Sequence, residues 1–239
     1  MSGRRDSTHH LEIDGVSVPV RIRANARARR MILRTDSQGP EGGAGVVVTL
    51  PRGVSVREAL RWTATQGTWI RRQLAKLPDR VEFEPGAVVP FLGVDHAIAA
   101  APDARRGVWA EAGTIFVSGR PEHLARRLAD WLKREARARI TECVHVKTAQ
   151  LGAEAGRISI RDPKSRWGSC APGGNLNFSW RLVLTPDFVF DYVVAHEVAH
   201  LKELNHGPRF WELVEGLTAE TERARAWLNA FGAGLHRYG

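Results

Sequence analysis

The stretch HEVAHLKELNH, residues 196–206, places three histidines and two glutamates within eleven positions. In a helix, residues i and i+4 lie on one face, so His196 and His200 can direct imidazole nitrogens at a common point. Two nitrogen ligands at this spacing suit tetrahedral zinc. Glu197 would then lie beside the metal, where a general base deprotonates zinc-bound water. The alternative is a solvated helix that carries this short pattern by chance.

A third ligand would favour a catalytic zinc site over a chance pattern. His206 follows the second histidine by six residues, and Asn205 and Gly207-Pro208 are signals that end a helix. The chain can therefore turn back, bring His206 to the metal and leave one position for water. Glu212 or Glu215 is the competing third ligand, but the shorter reversal to His206 fixes the geometry better.

The first half of the chain is predicted to be a β-rich module with one helix. HLEI, VSVPVRIR, MILRT and VVVTL alternate with turn signals such as Asp14-Gly15, which indicates a small antiparallel unit. Helical spacing follows from Val56 to Leu74. Residues 86–118 return to short strands. We therefore expect a β-rich N-terminal module at residues 1–118.

The second half is predicted to combine helices with a short sheet. Pro121 opens a long amphipathic helix that runs to about Leu151. RISIRD, KSRWGSC and NLNFSWRLVL have the pattern of strands, and Thr185-Pro186-Asp187 opens the helix of the quoted motif. Two further helices follow. We therefore predict an α+β chain whose second domain occupies residues 119–239.

Positive charge concentrates at the start of the chain. The formal net charge is +9, and residues 1–80 hold 15 Lys and Arg against 7 Asp and Glu. Such a basic module can attract nucleic acid or another polyanion. The alternative is a strong arginine bias that reflects genome composition.

The composition indicates a folded cytoplasmic protein. No apolar run approaches the roughly 20 residues that a spanning helix needs, so no membrane partner is expected. Cys143 and Cys170 lie far apart and form no CxxC motif, so we expect two reduced thiols and no cysteine metal site.

Read together, KSRWGSC, NLNFSWRLVLTP, HEVAHLKELNH and the following RFW resemble the YgjP-like metallopeptidase family, which is related to the SprT-like and WLM zinc metallopeptidases. The resemblance extends to ARRMILR, WIRRQLAKL, FLG and the C-terminal WL. It implies a zincin-like domain whose HExxH helix packs on a short antiparallel sheet. It also implies that His196, His200 and His206 are zinc ligands and Glu197 is the catalytic base. Glu203 stands where metzincins have a turn glycine, so that clan is not supported.

The resemblance implies a zinc-dependent hydrolase, and peptide bonds are the leading substrate. A first alternative is a nucleotide triphosphate pyrophosphohydrolase, although a three-histidine site lacks the carboxylates that bring magnesium to phosphates. A second is a DNA-associated protease acting on DNA-bound proteins, as the SprT-like relatives suggest. That alternative predicts salt-sensitive DNA binding through Arg27, Arg29 and Arg30.

In zincins an exposed strand above the metal pairs with the substrate backbone. KSRWGSC or NLNFSWRLVL is the candidate for that strand. Arg166 is a candidate for holding a substrate carbonyl, carboxylate or phosphate, and a structural ion pair with Asp162 or another nearby carboxylate is its alternative role. Four nearby residues are interpreted as packing residues in preference to functional ones: Trp167, Cys170, Trp180 and Tyr192.

Overall fold

The computed structural model describes residues 6–36, 39, 44–76 and 79–239. The chain forms two compact units, residues 1–80 and residues 81–239. This division falls earlier than the predicted boundary between residues 118 and 119. The reason is that the strands of residues 88–118 bury Val89, Ile98 and Ile115 in the same core as the C-terminal helices.

The described residues of the N-terminal unit form four strands and two helices: β1 (Ser7–Ile13), β2 (Val16–Ala24), β3 (Ile32–Asp36), β4 (Gly45–Leu50), α1 (Val56–Thr65) and α2 (Gly67–Leu74). The sheet order is β1-β2-β4-β3. Asp14 and Gly15 both have positive φ, as a tight hairpin turn requires. β2 and β4 are parallel, so the predicted antiparallel unit is a mixed sheet. The predicted single helix is two helices that meet at Gln66.

The C-terminal unit contains seven strands and four α-helices: β5 (Val88–Phe91), β6 (Val94–Ala101), β7 (Val108–Glu111), β8 (Thr114–Ser118), α3 (Leu124–Leu151), β9 (Ile158–Arg161), β10 (Gly168–Cys170), β11 (Leu176–Ser179), α4 (Asp187–Ala199), α5 (Pro208–Leu217) and α6 (Thr221–Phe231). The strands form two sheets, ordered β5-β6-β8-β7 and β10-β11-β9. The chain is thus of mixed α+β class, as predicted.

The long helix α3 is the centre of this unit. Leu128, Leu132, Ala136 and Ile140 recur every four residues and are fully buried. The helix packs on β7 and β8 of one sheet, on β9 of the other, and on α4. Among the described residues, no helix is both long and apolar enough to span a bilayer.

The sheet beside α4 differs in two ways from the prediction. It is mixed, because β11 pairs parallel with β9 and antiparallel with β10. The apolar segment NLNFSWRLVL is a strand only to Ser179 and then forms a 3-10 helix, Trp180–Leu184. A short buried apolar run fits either structure, which is why its pattern could not separate the two.

The start of α4 is held by the turn that follows β5. The amide of Leu92 donates to the carbonyl of Val183 at 2.8 Å. Gly93 has φ +75°, and a Cβ there would lie 2.6 Å from the Cα of Pro186. Only glycine permits this close approach, which fixes the first turn of the helix that carries the histidines.

Candidate metal centre

Helix α4 is enclosed by protein along most of its length. Nine of its residues between Val189 and Ala199 are buried, and α3, α5 and α6 all pack against it. A helix that is apolar on all sides belongs in a core. His196 and Glu197 therefore emerge from a helix whose position is set by packing on several sides.

The helix ends at Ala199, earlier than the stop signals predicted. His200 is the residue after its last turn, and the amides of Lys202 and Glu203 both donate to the carbonyl of Ala199 at 3.1 Å. The next helix, α5, begins at Pro208. The short reversal between the two helices returns His206 towards α4.

The structure brings His196, His200 and His206 together. One candidate ligand atom from each lies within 4.8 Å of the others, and the Nε2 atoms of His196 and His206 are 3.2 Å apart. Two imidazole nitrogens on one tetrahedral zinc ion, at about 2.0–2.1 Å each, are separated by about 3.3 Å. The three side chains therefore fit a metal ion. Glu212 and Glu215 are exposed on α5 and are not part of this cluster.

Hydrogen bonding and packing orient two of the rings. Nδ1 of His200 lies 3.0 Å from the carbonyl oxygen of Glu203, so this nitrogen carries the proton and Nε2 keeps its lone pair. The ring of His196 contacts Tyr192 and Phe210 edge to face, at centroid distances of 5.9 and 4.9 Å. Tyr192 thus packs on the ring of His196.

Burial keeps the imidazoles in the form that binds metals. It lowers the pKa of His196 to about 4, with the neighbouring His200 and His206 adding to the effect. Burial also lowers the pKa of His200. His196 and His200 are therefore neutral at pH 7, and neutral imidazole is the metal ligand.

Glu197 is a buried carboxyl group beside the histidines. Its exposed fraction is 6%. Burial raises its pKa to about 7, although the charge of Arg166 and a hydrogen bond from the amide of Cys170 oppose this rise. A carboxyl group with a pKa near neutrality can both accept and donate a proton.

Gly168, the first residue of β10, was missed by the sequence analysis and lies against this carboxyl group. A Cβ at residue 168 would be 2.5 Å from Cγ and 2.7 Å from Oε1 of Glu197. Nothing in the pattern RWGSC signals that its glycine faces a glutamate about thirty residues later. The contact confines the carboxyl group between β10 and the histidines.

A cleft of about 290 Å³ opens at the histidines. It is lined by the three histidines, Glu197, Arg166, Leu204 and all of β10. β10 is an edge strand of its sheet, so its outer backbone is not paired within that sheet. Cys170 lies in this wall, and burial raises the pKa of its thiol.

Arg166 is exposed at the edge of the cleft, close enough for its charge to act on Glu197. Asp162, one of its predicted ion-pair partners, does not pair with it, whereas Glu197 is a carboxylate near its charge. Asp162 is bound instead by Arg181, which the sequence analysis missed, through hydrogen bonds of 2.8 and 3.2 Å. The sequence did contain a sign of this pairing, because an arginine within the apolar run WRLVL needs a partner if it is buried.

The two tryptophans flanking these segments are packing residues. Trp167 stacks on His236 with a centroid distance of 5.6 Å, and Trp180 is only 4% exposed. Arg181 lies 4.5 Å above the ring of Trp180. Neither indole lines the cleft at the histidines.

Comparison with known proteins gives one family. The YgjP-like metallopeptidase domain matches residues 29–231. No curated protein shows significant similarity to the chain. Among solved structures, the chain is similar to the metallopeptidase zymogen abylysin of Pyrococcus abyssi, with 22% identity and a TM-score of 0.36 over 41% of this chain and 97% of that one.

Proposed function

This chain belongs to the YgjP-like metallopeptidase family and is a metallopeptidase, and we propose that His196, His200 and His206 hold a zinc ion while Glu197 is its general base. The family implies a divalent metal, and three nitrogen ligands are typical of catalytic zinc. The observation that carries the proposal is the convergence of the three histidines within 4.8 Å beside a buried carboxyl group.

Glu197 moves the proton in the proposed reaction. When bound, zinc polarises the scissile carbonyl group and lowers the pKa of water in the site. Glu197 accepts a proton from the attacking water and then donates it to the leaving amine nitrogen. Burial raises its pKa to about 7 in the metal-free site, and the charge of a bound zinc ion would lower it again and favour the carboxylate that accepts the proton. Gly168 keeps the carboxyl group close to the histidines during both steps.

We further propose that β10 holds the substrate backbone. An extended peptide can pair with the outer edge of β10, using backbone groups other than the amide of Cys170, which donates to Glu197. This pairing would lay the peptide across the cleft beside Glu197. Arg166 is placed to donate to a carbonyl or carboxylate oxygen of that peptide. Its exposure leaves the guanidinium accessible to the substrate.

The test is release of fragments from an unfolded protein by the zinc-loaded chain. Glu197→Ala is the matched control, because it should keep the zinc and lose the base. Fragments from the parent but not from the variant support the proposal. Zinc-loaded parent that releases none, or a variant as active as the parent, contradicts it.

The two alternative activities gain no support. The histidine cluster found among the described residues contains no carboxylate, whereas magnesium-dependent phosphate chemistry requires such ligands. Arg27, Arg29 and Arg30 are exposed, but arginines that are merely solvated are exposed as well. We therefore retain the peptidase.

A further inference from the structure

A second cleft in the C-terminal unit is surrounded by basic side chains. It has a volume of about 380 Å³ and lies among Lys133, Arg134 and Arg137 of α3 and Arg161 of β9. It shares no lining residue with the cleft at the histidines. We propose that this basic cleft binds acidic segments of the polypeptide substrate. The inference rests on the proposed peptidase function, because it names the class of substrate.

The positive charge of the basic cleft is not neutralised from within. Across the described ranges, none of its four basic side chains forms an ion pair. Asp162 is the one acidic residue in the lining, but both of its oxygens are engaged by Arg181. Burial disfavours its charge, yet the hydrogen bonds and charge of Arg181 prevail and lower its pKa. The cleft is thus left with four uncompensated cations.

Helix geometry places three of these cations side by side. Lys133 and Arg137 are four residues apart and Arg134 and Arg137 three apart, so all three project from neighbouring positions of α3. Like charges at this spacing repel one another, and a bound anion relieves that repulsion. The guanidinium groups also offer the paired donors that match a carboxylate.

The aromatic residue of the basic cleft argues for a peptide over a single-stranded nucleic acid. Single strands bind by stacking bases on exposed aromatic rings. Trp180 is only 4% exposed, and Arg181 lies 4.5 Å from its ring centroid. The ring is therefore not available for stacking. What remains is an anion site whose lining also includes Ile160 and Trp180, and such a site suits aspartate and glutamate side chains.

One loop borders both clefts. Asp162 lines the basic cleft and Arg166, four residues later, lines the cleft at the histidines. A polypeptide bound along this loop can place an acidic segment in the basic cleft while another part lies on β10. Acidic segments near the scissile bond should therefore strengthen substrate binding.

The test is the affinity of the full, zinc-loaded chain for a fluorescein-labelled glutamate-rich decapeptide, measured by fluorescence anisotropy at about 0.1 M ionic strength, where charges more than about 10 Å apart are largely screened. The chain carries Glu197→Ala, so peptide binding is measured without hydrolysis. A lack of peptide binding can therefore be distinguished from a lack of peptidase activity. Arg134→Glu/Arg137→Glu is expected to weaken binding by roughly tenfold or more. Arg105→Glu/Arg106→Glu makes the same change of net charge at exposed residues of the same unit that do not line the cleft, and should change affinity by less than about twofold.

Three results would overturn the proposal. The first is no saturable binding of the decapeptide. The second is an equal loss in both double variants, which would mean that only net charge matters. The third is a loss confined to duplex DNA, tested in parallel, while peptide affinity stays unchanged. Arg134→Ala/Arg137→Ala removes the two charges without reversing them and is the milder substitution. Thermal unfolding of each variant shows whether weaker binding reflects a loss of folding.

Discussion

Gly168 and Glu197 are packed so closely that a Cβ on the glycine would lie 2.5 Å from the Cγ of the glutamate. The first residue of β10 thereby limits where the carboxyl group can go. In the proposed mechanism, this contact holds the general base beside the three histidines.

Gly168→Ala should reduce kcat strongly while zinc content stays near one per chain. The added methyl group must displace either Glu197 or β10, and a misplacement of about 1 Å in a catalytic site can cost roughly 100-fold in rate. Gly173→Ala is the matched control, because a Cβ there meets nothing within 4 Å. Steady-state kinetics and metal analysis of both variants test this prediction. Equal kcat values for the two variants would show that the contact between Gly168 and Glu197 does not position the carboxyl group.

His206→Ala should lose zinc affinity without unfolding the chain. The side chain is exposed, so its removal leaves no cavity, but the site keeps only two nitrogen ligands. Loss of a ligand should exceed the roughly 10- to 100-fold effect of losing an orienting partner. Competition with a chelator measures the zinc affinity, and His123→Ala is the control because His123 is also exposed. An unchanged affinity would exclude His206 from the site.

Glu197→Gln should stabilise the metal-free protein more at pH 8 than at pH 5. Folding raises the pKa of Glu197 from 4.5 to about 7, so the folded state holds more protons between these values and loses stability as pH rises through them. Glutamine mimics the neutral form throughout. Above pH 7, the free energy of unfolding of the variant should exceed that of the parent by on the order of 3 kcal/mol.

Urea denaturation with a chelator at both pH values measures this difference. His196 acts in the opposite direction, because its lowered pKa destabilises the fold as pH falls from 6.5 towards 4. The comparison of parent with Glu197→Gln removes that contribution, since both proteins carry His196. A variant whose advantage is the same at both pH values would show that the carboxyl group is not desolvated.

Arg181→Met should destabilise the C-terminal unit by about 1–3 kcal/mol, because the carbonyl groups that Arg181 binds lose a buried donor, whereas Asp162 is 38% exposed and can be solvated. Arg181 is 1% exposed, binds Asp162 and donates to the carbonyls of Leu235 and Tyr238 at 3.0 and 2.7 Å. Chemical denaturation measures the loss.

Arg126→Ala provides the contrast to Arg181→Met. Arg126 pairs with Asp130 on an exposed face of α3, and such surface pairs contribute only about 0–1 kcal/mol. Similar losses in the two variants would show that the Arg181 network is not what holds the C-terminal segment.

The parts of the structure that follow from local rules could be predicted from the sequence. Helical spacing predicted that His196 and His200 share a face, and Gly207-Pro208 predicted the reversal that returns His206. All three do lie together. The strands of residues 86–118 and the helix α3 also follow from their apolar periodicity.

The parts that depend on distant partners could not be predicted. Apolar alternation shows that Ile98 and Ile115 face a core, but not that this core belongs to α3. The same limit applies to the pairing of Arg181 with Asp162 and to the contact of Gly168 with Glu197. Each requires knowing which segments the fold brings side by side, and no spacing within the chain records that.

The most direct test of the proposed centre is the crystal structure of the zinc-loaded protein, with the metal located by anomalous scattering at the zinc edge. We expect one zinc ion bonded to His196, His200 and His206 at about 2.0–2.1 Å, with the Glu197 carboxyl group beside it and not bonded to it. Zinc bound elsewhere, or held by Glu212 or Glu215 in place of His206, would contradict the account.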